Sequence, residues 1–193
     1  MSAVEQKKVI RERMRSQRQQ LTADQHTQAA NGLLQTLSGN LQSTDFPLAI
    51  YLTFDGELDT QPLIEFAWRS GHDIYLPIVQ GNGVSLLFRR YDSETILERN
   101  CYGIGEPSTG ELFPASAMHT ICLPLTAFDR TGGRLGMGGG FYDITLAELR
   151  EANQAQPKLI GLAYEFQEVS ECPMEAHDQL LDFIATPREL IIL

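Results

Sequence analysis

Residues 47–54 and 73–79 are apolar runs, and between them Thr60 can cap a helix that carries Pro62 in its first turn and ends at Ser70-Gly71. A strand, a helix and a strand at this spacing form a right-handed βαβ unit with parallel strands. Parallel strands need helices on the faces of their sheet, so this segment commits the chain to an α/β fold. Residues 120–125, 159–164 and 181–186 supply further short apolar strands, and residues 84–91, after the Gly81-Asn82-Gly83 turn, are expected to fold back as a hairpin. Ahead of the sheet, residues 4–20 lack Gly and Pro and read as a helix. A capping box, Thr22 with Gln25, opens a second helix that Gly39-Asn40 ends. Residues 92–119 show little periodicity and are expected to form a long surface connection, with GIGEP (103–107) as a loop held by Pro107. The length of 193 residues suits one domain with a sizeable core. The expected architecture is a single three-layer α/β domain over residues 1–193, with a mainly parallel central sheet flanked by helices and the N-terminal helices packed on it.

Several classes of function are disfavoured. No apolar run approaches the ~18 residues of a membrane helix, and the N-terminus alternates charges where a signal peptide needs an apolar core. A cytoplasmic protein with no membrane partner is expected. Cys101, Cys122 and Cys172 have no metal-ligand spacing and read as reduced thiols. The net charge is −10, yet six of the fifteen basic residues fall in the first eighteen positions. Overall acidity argues against nucleic acid, while leaving room for one local basic site. On a helical wheel Lys7, Arg11, Arg15 and Arg18 fall within roughly 80° of arc, beside an apolar sector of Ile10, Met14 and Leu21. Such a stripe is a solvated face or an anion site.

The stretch Arg134-Leu135-Gly136-Met137-Gly138-Gly139-Gly140-Phe141-Tyr142-Asp143 combines four glycines with flanking charge. Glycines let several backbone N–H groups point into one concavity, which suits an anion. Phe141, Leu146 and Leu149 follow at helical spacing, so a helix N-terminus would face the same anion. Arg134 adds a fixed positive charge, and Asp143 offers the hard oxygens Mg²⁺ prefers. The loop is neither a P-loop nor a G-x-G-x-x-G dinucleotide fingerprint. Taken alone, a flexible turn with a favourable first-turn aspartate explains it equally.

RLGMGGGFYD nevertheless resembles the signature R-x-G-x-G-x-G-[YF]-Y-D of the 5-formyltetrahydrofolate cyclo-ligases, also called 5,10-methenyltetrahydrofolate synthetases. The preceding LPLTAFD (123–129) and the GIGEP segment match the same family, and the resemblance covers almost the whole chain. It implies ATP contacts from Lys7, Lys8, Arg11 and residues 134–142, and folate contacts from Leu52, Glu57 and residues 137–141. Glu57 stands in a loop after the first strand; its carboxylate suits the paired N–H donors of a pterin edge. Asp143 and Asp178 would hold Mg²⁺, while Arg11 and Arg134 would act on the transferring phosphate. The implied reaction activates the formyl oxygen of 5-formyltetrahydrofolate with the ATP γ-phosphate, and N10 then closes the ring. Many members carry Lys where this chain has Gly139.

Without the resemblance, Glu57 reads as an exposed loop charge, Asp178 beside His177 as a turn residue, and Phe54 and Trp68 as core. A non-catalytic folate or nucleotide binder on the same scaffold is the alternative function. A monomer is expected, acting on 5-formyltetrahydrofolate with or without a polyglutamate tail.

Overall fold

The computed structural model describes residues 2–175 and 178–193. Ser2 opens α1 (Ala3–Gln19): its hydroxyl accepts from the Glu5 amide at 3.3 Å, and the Glu5 carboxylate accepts from the Ser2 amide at 2.8 Å. Thr22 and Gln25 open α2 (Ala23–Ser38) by the same reciprocal pair. Then follow β1 (Leu48–Ala49), α3 (Gln61–Arg69), β2 (Ile74–Ile78), β3 (Leu87–Tyr91), β4 (Leu97–Arg99), β5 (Gly105–Pro107) and β6 (Leu112–Phe113). The second half holds β7 (Thr120–Pro124), β8 (Ala127–Phe128), β9 (Arg134–Leu135), α4 (Phe141–Glu151), β10 (Lys158–Leu162), β11 (Phe183–Ala185) and β12 (Leu190–Ile192).

The central sheet runs β12-β11-β10-β7-β1-β2-β3-β6. Its middle, from β11 to β2, is parallel, and antiparallel strands finish both edges. Successive strand residues alternate between faces, so Leu48 and Ala49 belong to different halves of the core. On one face Leu33 and Leu37 of α2 and Leu63 and Ile64 of α3 cover Leu48, Ile74 and Leu76. On the other, Leu146 and Leu149 of α4 cover Ala49, Ile121 and Leu123. The expected three layers are present. α1 lies apart from both faces, its buried Met14 packed on Ala127, Leu135 and Cys172 beside the β8–β9 hairpin. That hairpin follows directly on β7, so α1 is held over the carboxyl ends of the strands.

The departures from the sequence expectation have local causes. The first strand was expected to run to residue 54, but Tyr51 leaves the sheet because the Thr60 hydroxyl donates to its carbonyl at 2.7 Å. Thr60 is therefore occupied, and Asp59 accepts from the Gln61 amide at 3.0 Å in its place at the start of α3. Residues 84–86 stay outside β3, with the Leu86 amide donating to Thr145 Oγ1 at 2.7 Å. The supposed connection 92–119 contains the β4–β5 hairpin, turned by Asn100, whose Oδ1 accepts from the amides of Tyr102 and Ile104 at 2.9 and 3.1 Å. Finally, Thr186 Oγ1 accepts from the Arg188 and Glu189 amides and turns the chain into β12, an edge strand the pattern did not show.

Among the described residues no helix is long and apolar enough to cross a membrane. The three cysteines are free, and burial pushes the thiols of Cys122 and Cys172 up to about 12, which disfavours their thiolate forms.

Candidate active site

Beyond the carboxyl ends of β1, β2 and β7 opens a cavity of about 530 Å³. In an open α/β sheet this is where the strands deliver loops without burying unpaired backbone, and where ligands bind. Lys7 and Arg11 of α1, Glu57, the loop from Arg134 to Asp143, and Asp178 all line it. Segments more than a hundred residues apart in sequence thus share one space.

One end is lined by apolar side chains. Tyr51, Leu76, Leu123 and Leu125 wall it, and Leu52 and Phe54 border it. Tyr51 is fixed by its hydroxyl, which donates to the Leu58 carbonyl at 3.0 Å. Glu57 is only 6% exposed. Its Oε2 accepts from the Phe54 amide at 3.2 Å, and its carbonyl accepts from the Tyr164 hydroxyl at 3.3 Å. Burial pushes the Glu57 carboxyl up to about 7, against the opposing pull of Arg18 and the Phe54 amide. Close to neutral pH the group can therefore accept hydrogen bonds as an anion or hold a proton.

The other end is built from charge and bare backbone. Gly138 and Gly140 have φ of 105° and 69°, left-handed values that side chains resist, and Gly140 is the residue at which α4 begins. No side chain caps α4, which leaves first-turn N–H groups for an anion. Arg11 Nε donates to the Gly136 carbonyl at 2.9 Å and so pins the loop to α1. Arg134 is buried and pairs through Nη2 with Asp143, while its Nη1 has no partner among the described residues. Burial draws its guanidinium pKa down, and Asp143, Asp178 and Tyr142 oppose that. Lys7 Nζ lies 2.7 Å from Glu175 and 3.7 Å from Asp178.

Both carboxylates suited to a metal line the cavity, and among the described residues no group of three His, Cys, Asp or Glu stands where it could hold a metal ion. Two carboxylates fit Mg²⁺, which keeps several waters and takes its remaining oxygens from phosphates. A phosphate would also satisfy the orphaned Arg134 Nη1.

Of the residues singled out in the sequence, Lys8 is placed elsewhere: its side chain is 74% exposed and lies 3.9 Å from Glu12. Trp68 is a core residue, donating to the Tyr91 carbonyl at 2.9 Å, whereas Phe54 borders the cavity. His177 lies outside the described residues. The sequence reading missed the wall made by the β4–β5 hairpin, where Asn100, Tyr102, Ile104 and Glu106 face the cavity. Glu106 ties that hairpin down, accepting from the Val79 amide at 3.0 Å and from Asn100 Nδ2 at 2.7 Å. The Asn100…Gly103 turn signal was the legible clue. Arg18 was also missed: it reads as surface charge on the wheel and is 1% exposed in the fold.

The family described as the 5-formyltetrahydrofolate cyclo-ligase family matches residues 3–187. A 5-formyltetrahydrofolate cyclo-ligase of Escherichia coli is 42% identical over 146 residues, 74% of this chain and 79% of that protein. One from Haemophilus influenzae is 36% identical over 173 residues, 88% of this chain and 91% of that protein. The solved structure of Aquifex aeolicus 5,10-methenyltetrahydrofolate synthetase superposes with a TM-score of 0.82 at 27% identity, covering 97% of this chain and 92% of that one.

Proposed function

The chain belongs to the 5-formyltetrahydrofolate cyclo-ligase family, and we propose that its cavity converts 5-formyltetrahydrofolate to 5,10-methenyltetrahydrofolate with ATP and Mg²⁺, giving ADP and phosphate. The observation that carries this reading is the joint lining of one cavity by a buried carboxylate at its apolar end and by glycine backbone, cations and two aspartates at the other.

The chemistry asks for placement more than for a protein nucleophile. A formyl amide on N5 is a poor electrophile, because nitrogen donates into the carbonyl and oxide leaves badly. Transfer of the γ-phosphoryl group to the formyl oxygen answers both faults and gives an iminophosphate. N10 attacks the activated carbon, and phosphate departs to leave the methenyl bridge. Glu57 accepts the N–H donors of the pterin edge, with Leu52 and the Phe141 ring against the folate. The Gly136 to Gly140 backbone and the start of α4 receive phosphate oxygens, while Arg134, Arg11 and Lys7 meet the charge that builds as the phosphoryl group moves. Asp143 and Asp178 would hold Mg²⁺, which would neutralise β- and γ-phosphate charge. Burial raises the pKa of Tyr51 and Tyr142, which both line the cavity, above the usual phenol value and so disfavours their ionised forms.

The test is the growth of methenyltetrahydrofolate absorbance when purified protein receives 5-formyltetrahydrofolate, ATP and Mg²⁺. Growth that EDTA abolishes supports the reading. Binding of the folate by calorimetry without turnover would make the protein a binder on this scaffold.

A further inference from the structure

Glu57 is presented by a tight turn to which both its own loop and α1 contribute. The Glu57 amide donates to the Phe54 carbonyl at 3.0 Å and closes a four-residue turn. Both central residues are left-handed, Asp55 at φ 49° and Gly56 at φ 73°. Glycine adopts that conformation freely, and aspartate tolerates it at a smaller cost than most residues, so contacts that hold Asp55 favour the turn. Such contacts come from α1. Arg15 Nε lies 2.9 Å from Asp55 Oδ2, and Arg18 Nη2 lies 3.3 Å from the same oxygen. The turn also packs on the helix itself, since a Cβ at Gly56 would stand 3.3 Å from the Cβ of Arg18.

Arg18 is unusual in this pair. It is 1% exposed, and its Nε and Nη1 have no hydrogen-bond partner among the described residues. A buried guanidinium with two idle donors is a poor way to gain stability, because desolvation of the charge outweighs a single contact. Its charge has a use nearby: Arg18 is the attractive cation that favours the ionised form of Glu57, while Asp55 opposes it. Neither Arg18 nor Asp55 lines the cavity, so both act through Glu57.

We propose that Arg18, through Asp55, is a positioning residue for substrate recognition, holding the turn 54–57 so that the Glu57 carboxylate faces the cavity. This rests on the reading of Glu57 as the folate contact. One helix then serves both ends of the site: Arg11 grips the glycine loop at Gly136, and Arg18, seven residues or roughly 10 Å further along the axis, grips the carboxylate turn. The spacing of those two grips sets the distance between the folate and phosphate ends.

Steady-state kinetics of Arg18→Met, Arg18→Lys, Asp55→Asn and Glu57→Gln test it, with folding checked by circular dichroism. Asparagine tolerates the left-handed conformation, so Asp55→Asn removes the charge and keeps the turn residue even if Arg18→Met does not fold. The expected result is a rise of roughly tenfold or more in KM for 5-formyltetrahydrofolate in Arg18→Met and Asp55→Asn, with KM for ATP unchanged. Arg18→Lys should recover part of it. Combining Asp55→Asn with Glu57→Gln should add little to Glu57→Gln alone, because both changes remove the same contact. A raised folate KM in Glu57→Gln with none in Asp55→Asn or in folded Arg18→Met would overturn the proposal. An unchanged folate KM in Glu57→Gln would instead remove its premise and the assignment of Glu57 together.

Discussion

The two ends of the cavity hold their charges by opposite means. At the apolar end Glu57 is buried in a cavity that Tyr51 and leucines also line, with the Phe54 amide as hydrogen-bond partner and a buried arginine behind the turn. At the glycine end Arg134 pairs with Asp143 and Lys7 with Glu175 and Asp178, while Arg11 donates to the Gly136 carbonyl. A carboxylate held by burial works against the fold that holds it, whereas ion pairs beside an open loop can exchange partners for a phosphate or a cation. On the proposed function, recognition at the first end would be tied to stability and turnover at the second to electrostatics.

That contrast is broken most severely at Arg134. Replacing it with Ala removes the buried cation whose Nη1 awaits an anion, and kcat should fall about 10²–10³-fold. The methenyl absorbance assay reads it, and a change confined to the folate KM would place Arg134 at the wrong end. At the apolar end the effect should appear in stability. The Glu57 carboxyl is raised from 4.5 to about 7, so the contribution of this group to stability is complete below pH 4.5 and is lost as pH rises through about 7. Glu57→Gln abolishes that loss and should make the protein more stable at pH 8 by up to ~3 kcal/mol, with little gain at pH 4.5. Urea denaturation at the two pH values measures the difference; equal gains at both would contradict the assigned burial. In the active enzyme, folate affinity should weaken as pH falls below 7 and Glu57 takes up a proton.

Smaller effects sharpen the boundary between the ends. Gly139 seats the Phe141 ring, because a Cβ there would stand 2.7 Å from Phe141 Cε2. Gly139→Ala must swing that ring aside, which should lower stability by about 1 kcal/mol and Tm by roughly 2–4 °C. Differential scanning calorimetry checks the shift. Least affected should be Lys8→Ala, since a pair as exposed as Lys8 with Glu12 contributes only a few tenths of a kcal/mol, and activity should stay within about twofold of the parent. A large loss of ATP affinity in that variant would return Lys8 to the site.

Much of this architecture was legible from local chemistry. The Thr22 box, the parallel pairing of β1 with β2 and the helix starting at Phe141 each depend on residues close together in sequence. The glycine loop was legible for the same reason. What escaped depends on partners far away. Arg18 lies on the same cationic stripe as Lys7, yet it is buried by a turn thirty-seven residues on, which the wheel cannot show. β4 and β12 are short edge strands without apolar alternation, so periodicity has nothing to register. Lys7 and Lys8 differ by about 100° around the helix, enough to put one in the cavity and the other in solvent. Glu57 looked like a loop charge because its burial depends on distant residues such as Tyr164, whose hydroxyl donates to its carbonyl.

The most direct measurement is calorimetric binding of 5-formyltetrahydrofolate and of ATP with Mg²⁺ to the parent, Glu57→Gln and Asp143→Ala. Glu57→Gln should weaken the folate and leave the nucleotide unchanged, and Asp143→Ala should do the reverse. Loss of both ligands in either variant, with folding intact, would contradict two separately held ends within one cavity.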